Sequence, residues 1–152
     1  LMRQVAGRAG RAEAPGTALL QTCQPDHPVI RAILAGDEEG FWQAEAKERE
    51  QAGMPPYGRL AGIILSGPDM AAVFEAGNQL ARNDRVLRDI GAQVYGPAPA
   101  PIARVRGRHR VRLLVKADKS VALQRALAKW VGQIRLKGDL RLAVDIDPQS
   151  FY

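Results

Sequence analysis

Leu60-Ala61-Gly62-Ile63-Ile64-Leu65 runs apolar for six residues, stops at Gly67-Pro68, and hands over to Asp69, an acid suited to opening a helix. A run this short between turn residues has the length of a strand. Beyond Asp69, the side chains Val73, Ala76, Leu80 and Leu87 fall on one helical face. A second strand follows at Ala92-Gln93-Val94-Tyr95, and the prolines of Gly96-Pro97-Ala98-Pro99-Ala100-Pro101 keep the next residues extended while removing ladder donors. Two further strand-like runs, 102–106 and 109–116, flank Gly107. Leu123, Leu127, Trp130, Val131 and Ile134 recur at i, i+4, i+7, i+8 and i+11, which predicts a helix over 119–134 with one apolar stripe and Trp130 in the core. The alternation of Leu140 through Asp147 closes the series as a strand. The order β-α-β-β-β-α-β predicts an α+β fold, one mixed or antiparallel sheet with two helices on one face.

Upstream the rhythm changes. Val29, Ile30, Ile33 and Leu34 make a short amphipathic helix broken at Gly36, and a second helix runs from Asp37 through Phe41 and Trp42 until Gly53 and Pro55-Pro56 stop it. Before that lie a Gly/Arg/Ala-rich opening, a Pro15-Gly16 turn and the strand-like Thr17-Ala18-Leu19-Leu20-Gln21-Thr22, which reads as the edge of a larger α/β domain. Three parts are therefore expected: residues 1–25, a helical connector over 26–57, and an α+β domain over 58–152.

No stretch approaches the roughly 18 uncharged apolar residues of a membrane span, so a soluble, globular chain is expected. The opening Leu1-Met2-Arg3-Gln4 carries no signal-peptide core, and the expectation is a piece that begins inside a longer protein. One cysteine, Cys23, cannot form an internal disulfide, and with only His27 and His109 it does not make an ordinary zinc site; a reduced thiol and a cytoplasmic location are expected. Charge is unevenly spread. Residues 1–57 hold six basic and eight acidic side chains, whereas 58–152 hold sixteen and eight. Between Arg104 and Arg141, twelve Arg or Lys face only Asp118 and Asp139, a one-sided field that attracts polyanions.

Two constellations could use that field. Arg104, Arg106, Arg108, Arg110 and Arg112 occupy every second position, so a strand would place them on one face, where planar guanidiniums suit phosphate oxygens. Ala103, Val105, Val111, Leu113 and Val115 would then face the helices. A hairpin keeps both patterns only with an odd loop, such as Arg106-Gly107-Arg108, because an even one sets Arg104 opposite Val111. The alternative is a solvated face that blocks edge pairing. The second constellation is Gln4-Val5-Ala6-Gly7-Arg8-Ala9-Gly10-Arg11, whose glycines allow tight turns and whose arginines, three residues apart, can reach one anion. Such a pair suits the spreading charge of a transferred phosphoryl group, and a flexible basic loop is the other reading. Asp37-Glu38-Glu39-Gly40 looks like an acidic metal box but sits at a helix start, where acids are ordinary. Tyr57, Tyr95 and His109 can either stack on bases or pack internally.

Gln-x-x-Gly-Arg-x-Gly-Arg resembles motif VI of superfamily 2 helicases. Pro25-Asp26-His27-Pro28, Pro55-Pro56-Tyr57, the proline run 96–101 and Asp145-Ile146-Asp147-Pro148-Gln149-Ser150 resemble the C-terminal run of the PriA family of primosomal replication-restart helicases, across essentially the whole chain. The resemblance implies the end of a RecA-like second helicase lobe followed by a small domain resembling ribosomal protein S10. It also implies ATP-dependent 3′-to-5′ DNA unwinding at stalled forks and the start of primosome assembly. Gln4, Gly7 and Gly10 would then face the nucleotide, with Arg8 and Arg11 as arginine fingers. ATP and Mg²⁺ would serve the parent protein, and zinc would belong to a part outside this chain. Forked or single-stranded DNA, other primosome proteins and the acidic tail of single-stranded DNA-binding protein are the implied partners, and Arg104, Arg106, Arg108, Arg110, Arg112 and Lys116 become the expected DNA-binding residues. No Gly-x-x-x-x-Gly-Lys-Ser/Thr loop occurs in the sequence, so the piece alone is expected to be inactive as an ATPase. A rival reading is a non-enzymatic S10-like adaptor for nucleic acid or protein.

Overall fold

The computed structural model describes residues 17–148, and these form two compact units, one ending at Glu48 and the other beginning at Arg49. Gln4, Gly7, Arg8, Gly10 and Arg11 lie outside the described residues. Residues 17–22, read from sequence as a strand, carry no regular structure. A strand is completed by the neighbour that accepts its hydrogen bonds, and no described segment pairs with this one.

In the first unit, helix α1 spans Pro28–Ala35 and is capped by His27, whose Nδ1 accepts from the Val29 N–H at 3.3 Å. Helix α2, Glu38–Gln51, starts beside Asp37, whose carboxylate accepts from the Gly40 N–H at 2.9 Å. That acid is a helix-start residue, as the sequence suggested. The unit leaves apolar surface open: Leu34 is 70% and Trp42 59% exposed, with the Phe41 ring set edge-on to Trp42.

The second unit begins at the last turn of α2 and contains strand β1 (Gly58–Gly67), helix α3 (Met70–Arg82), the single turn α4 (Arg85–Arg88), strand β2 (Gln93–Val105), strand β3 (Arg108–Asp118), helix α5 (Leu123–Val131) and strand β4 (Arg141–Ile146). Asp69 caps α3 as expected, its two carboxylate oxygens accepting from Ala71 and Ala72 N–H at 3.1 and 3.3 Å. The helix ends earlier than its apolar spacing implied, so Leu87 reaches the core from α4 instead. The two strand-like runs expected on either side of the prolines merge into the one strand β2, because prolines on an edge strand break no ladder bond that the sheet needs.

The sheet order is β2-β3-β1-β4 with every pairing antiparallel, the split β-α-β arrangement. Register decides which face is which. Ala61, Ile63 and Leu65 of β1 pair with Val115, Leu113 and Val111 of β3, and all six are buried. Against them pack Val73, Ala76 and Leu80 of α3 and Leu123, Ala126, Leu127 and Trp130 of α5, so both longer helices cover this one face. Trp130 is fully buried, and its indole N–H donates to the Leu80 carbonyl at 3.0 Å, which removes the cost of burying that polar group. On the opposite face Gly62, Ile64, Arg110, Arg112, Leu114 and Lys116 all stay partly exposed.

Asp147 locks the last strand in place. Its carboxylate accepts from the Leu60 N–H and from Arg59 Nε, each at 2.9 Å, while its own N–H donates to the Leu60 carbonyl at 2.8 Å. These bonds hold a non-glycine residue at φ 49°.

Candidate nucleic-acid interface

The partly exposed face of the sheet is where the basic residues gather, and strand alternation is the reason. On β3, Val111, Leu113 and Val115 point into the core, so Arg110, Arg112, Leu114 and Lys116 must point the other way. Ser66 of β1 pairs with Arg110 on one side and with Arg141 of β4 on the other, which sets two arginines abreast across the sheet. Arg141 lies 3.6 Å from Asp139 in a solvent-exposed ion pair, a contact weak enough to leave its charge available. The sequence counted Arg141 in the charge excess without singling it out, since only the β1–β4 register puts it beside Arg110.

The five alternating arginines do not share one face. The hairpin joining β2 to β3 turns on two residues, Arg106 and Gly107, with Val105 paired to Arg108 and Arg104 to His109. Both turn residues have positive φ, 49° and 78°, the tight hairpin geometry for which glycine is the natural second residue. The loop is therefore even, not odd, and its two-residue length sets Arg104 opposite His109 instead of Val111, the register shifting only farther along, between Arg104 and Pro99. Arg104 thus shares the face of His109, opposite to Arg110 and Arg112. Arg106 sits in the turn. Arg108 is held at the sheet end by Asp139 at 2.6 Å and by the Ser66 carbonyl at 3.0 Å. Ala103 and Val105, expected to face the helices, are exposed instead, because the two-residue turn pairs Val105 with Arg108 and so puts it on the side of the sheet away from the helices.

A pocket of about 450 Å³ opens on the same face as Arg112. Ile64, Leu114, Met54 and Pro148 line it, with Tyr95 of β2, and Arg112 and Asp145 supply charge. Tyr95 pairs with Leu114, is 49% exposed, and donates its hydroxyl hydrogen bond to Gln93 Oε1 at 2.7 Å. Tyr57 lines a separate, smaller pocket with Lys116. Gly62 was read only as part of a strand, and its place at the pocket became legible from its pairing with Leu114 and Asp145.

At the far end of β3 the Asp118 carboxyl is held below its usual value by hydrogen bonds from the Ser120 hydroxyl and the Ser120 N–H, at 2.6 and 2.8 Å. Among the described residues, no three His, Cys, Asp or Glu side chains come together to hold a metal. Nor is any described helix long and apolar enough to cross a membrane.

Comparison with known proteins follows the same line. Residues 50–149 match the family model described as the primosomal protein N C-terminal domain. The chain is 36% identical over 152 residues to a replication restart protein PriA of Rickettsia conorii, with all of the chain and 23% of that protein aligned. It is 33% identical over 148 residues to the protein of the same name from Haemophilus influenzae, covering 97% of the chain and 20% of the relative. With the Bacillus subtilis protein it shares 30% identity, covering 97% of the chain and 19% of the relative. The chain thus spans about a quarter or less of the length of these relatives, and it matches their C-terminal part.

Proposed function

Because the chain belongs to the PriA family of primosomal replication-restart proteins, we propose that it is the C-terminal part of an ATP-dependent 3′-to-5′ DNA helicase that recognises stalled forks and starts primosome assembly. Within that protein this piece binds DNA and partner proteins, through the open sheet face. The observation that carries the reading is the register-enforced grouping of Arg110, Arg112, Lys116 and Arg141 on the side of the sheet opposite the one that α3 and α5 cover. Guanidiniums on a rigid strand meet phosphates without a large ordering cost. The same positive surface suits the acidic tail of single-stranded DNA-binding protein.

Gln4, Gly7 and Gly10 complete the nucleotide site of the parent, and Arg8 and Arg11 act there as arginine fingers on the charge that develops in phosphoryl transfer. ATP and Mg²⁺ are held by the parent's other motifs, as is zinc. The nucleotide supplies the free energy for unwinding; this chain contributes the two guanidiniums.

Fork DNA titrated against the 152-residue chain at several salt concentrations tests the binding role. Binding should weaken with salt at a log-log slope of about −0.9 per phosphate contacted, and Arg110→Ala should flatten the slope by about one unit. An unchanged slope removes the face from DNA binding. In the full-length protein, Arg11→Ala should lower kcat far more than it weakens ATP binding, and unchanged turnover would take Arg11 out of the finger role.

A further inference from the structure

Gly62 is an interior residue of β1, a strand hydrogen-bonded on both sides. Glycine weakens a strand interior, and its presence there often marks a place that another molecule approaches closely. Crowding does not require it: a Cβ at this position would meet nothing nearer than Pro148 Cγ at 4.0 Å. Gly62 is flanked by Leu114 on β3 and Asp145 on β4, and all three line the 450 Å³ pocket. The missing side chain deepens the pocket floor.

We propose that this pocket takes an unstacked base of single-stranded DNA, with the strand's phosphates following Arg110, Arg112 and Lys116 on β3. The proposal rests on the DNA-binding reading above. Ile64 and Leu114 offer an apolar bed and Tyr95 a half-exposed ring, the surface on which a base face gains most by leaving water. Arg110 and Arg112 stand about 7 Å apart along the strand, so successive phosphates of an extended chain can engage them in turn. Asp145 separates the two candidate polyanions. A carboxylate lining the pocket repels an acidic peptide entering there, whereas it accepts hydrogen bonds from the amino and ring N–H groups of bases. Paired bases in a duplex cannot enter, so the pocket favours single strands.

The test compares two oligonucleotides of equal length, oligo(dT) and the same backbone with every base removed, binding to the 152-residue chain and to Gly62→Val. The wild type should prefer the base-bearing strand by about tenfold or more. Valine suits a strand and fills the pocket floor, so Gly62→Val should melt no lower than wild type and bind both strands with the affinity the wild type shows for the bare backbone. Tyr95→Ala, at an exposed ring, should reduce the preference in the same direction and serves if the valine variant does not fold. Equal wild-type affinity for the two strands overturns base insertion while leaving the phosphate-binding face intact. Failure of both strands to bind overturns the DNA-binding reading along with it. Equal strand affinities together with loss of an acidic peptide in Gly62→Val would make the pocket a peptide site and end the proposal.

Discussion

Arg108 and Asp139 form a strut across the end of the sheet, with Nη1 of the arginine 2.6 Å from Oδ2 of the aspartate and a second guanidinium nitrogen donating to the Ser66 carbonyl at 3.0 Å. The first residue of β3 is thereby tied both to β1 and to the loop that enters β4. An arginine so engaged is expected to act in the fold, although its spacing placed it among the phosphate contacts. Arg108→Ala should lower stability by about 1–2 kcal/mol in urea unfolding, since Asp139 is largely solvated and only part of the bonding energy is at stake. Its salt slope for DNA binding should match the wild type. A slope flattened by about one unit would return Arg108 to the interface.

Spacing put Arg104 among the expected phosphate contacts and gave Arg141 no role, and the register separates the two. Arg104 faces away from Arg110, and Arg141 stands beside it across Ser66. Arg141→Ala should flatten the salt slope by about one unit, and Arg104→Ala should leave it alone. The reverse outcome would mean that DNA lies on the other side of the hairpin.

Trp130 fills the space between α5 and α3, and its N–H satisfies a carbonyl of α3. Trp130→Ala should destabilise by about 3–5 kcal/mol in thermal or urea unfolding. DNA affinity of the folded fraction should not change. A loss of affinity with stability kept would identify a stacking residue instead.

The closure of β4 onto β1 depends on Asp147, which accepts from Arg59 and from the Leu60 N–H. Asp147→Ala should cost about 2–3 kcal/mol, because it abandons a partly buried guanidinium and a backbone donor and leaves alanine at positive φ. Asp147→Asn, which tolerates the left-handed region and keeps an acceptor, should cost less. Equal losses would show that the ion pair alone closes the strand.

Asp118 titrates low because two Ser120 donors favour its charged form. A depressed folded pKa stabilises the fold at pH values above the ordinary carboxylate range, and that contribution is lost as pH falls through the folded value. Ser120→Ala removes the hydroxyl donor and should move the Asp118 titration upward toward the ordinary carboxylate range, as followed by NMR of its carboxyl carbon. No movement would mean that the backbone N–H alone holds the carboxyl low.

Local chemistry was enough for much of this chain. A short apolar run between turn residues located β1, apolar-polar alternation located β4, Asp69 announced the start of α3, and helical spacing put Leu123, Leu127 and Trp130 on one buried stripe. These features depend on residues within a few positions of one another, where periodicity and capping act directly. The family resemblance was likewise legible in the residues themselves. What lay beyond them was register. Whether Arg104 stands with Arg112 or against it depends on the length of one tight turn, two residues instead of three. The position of Arg141 beside Arg110, and of Gly62 between Leu114 and Asp145, depends on hydrogen bonds between strands far apart in sequence. A one-residue slip in any of these pairings would move every charge to the other face, so the sequence determined the elements and their buried stripes, while only the paired sheet decided which basic residues share a surface.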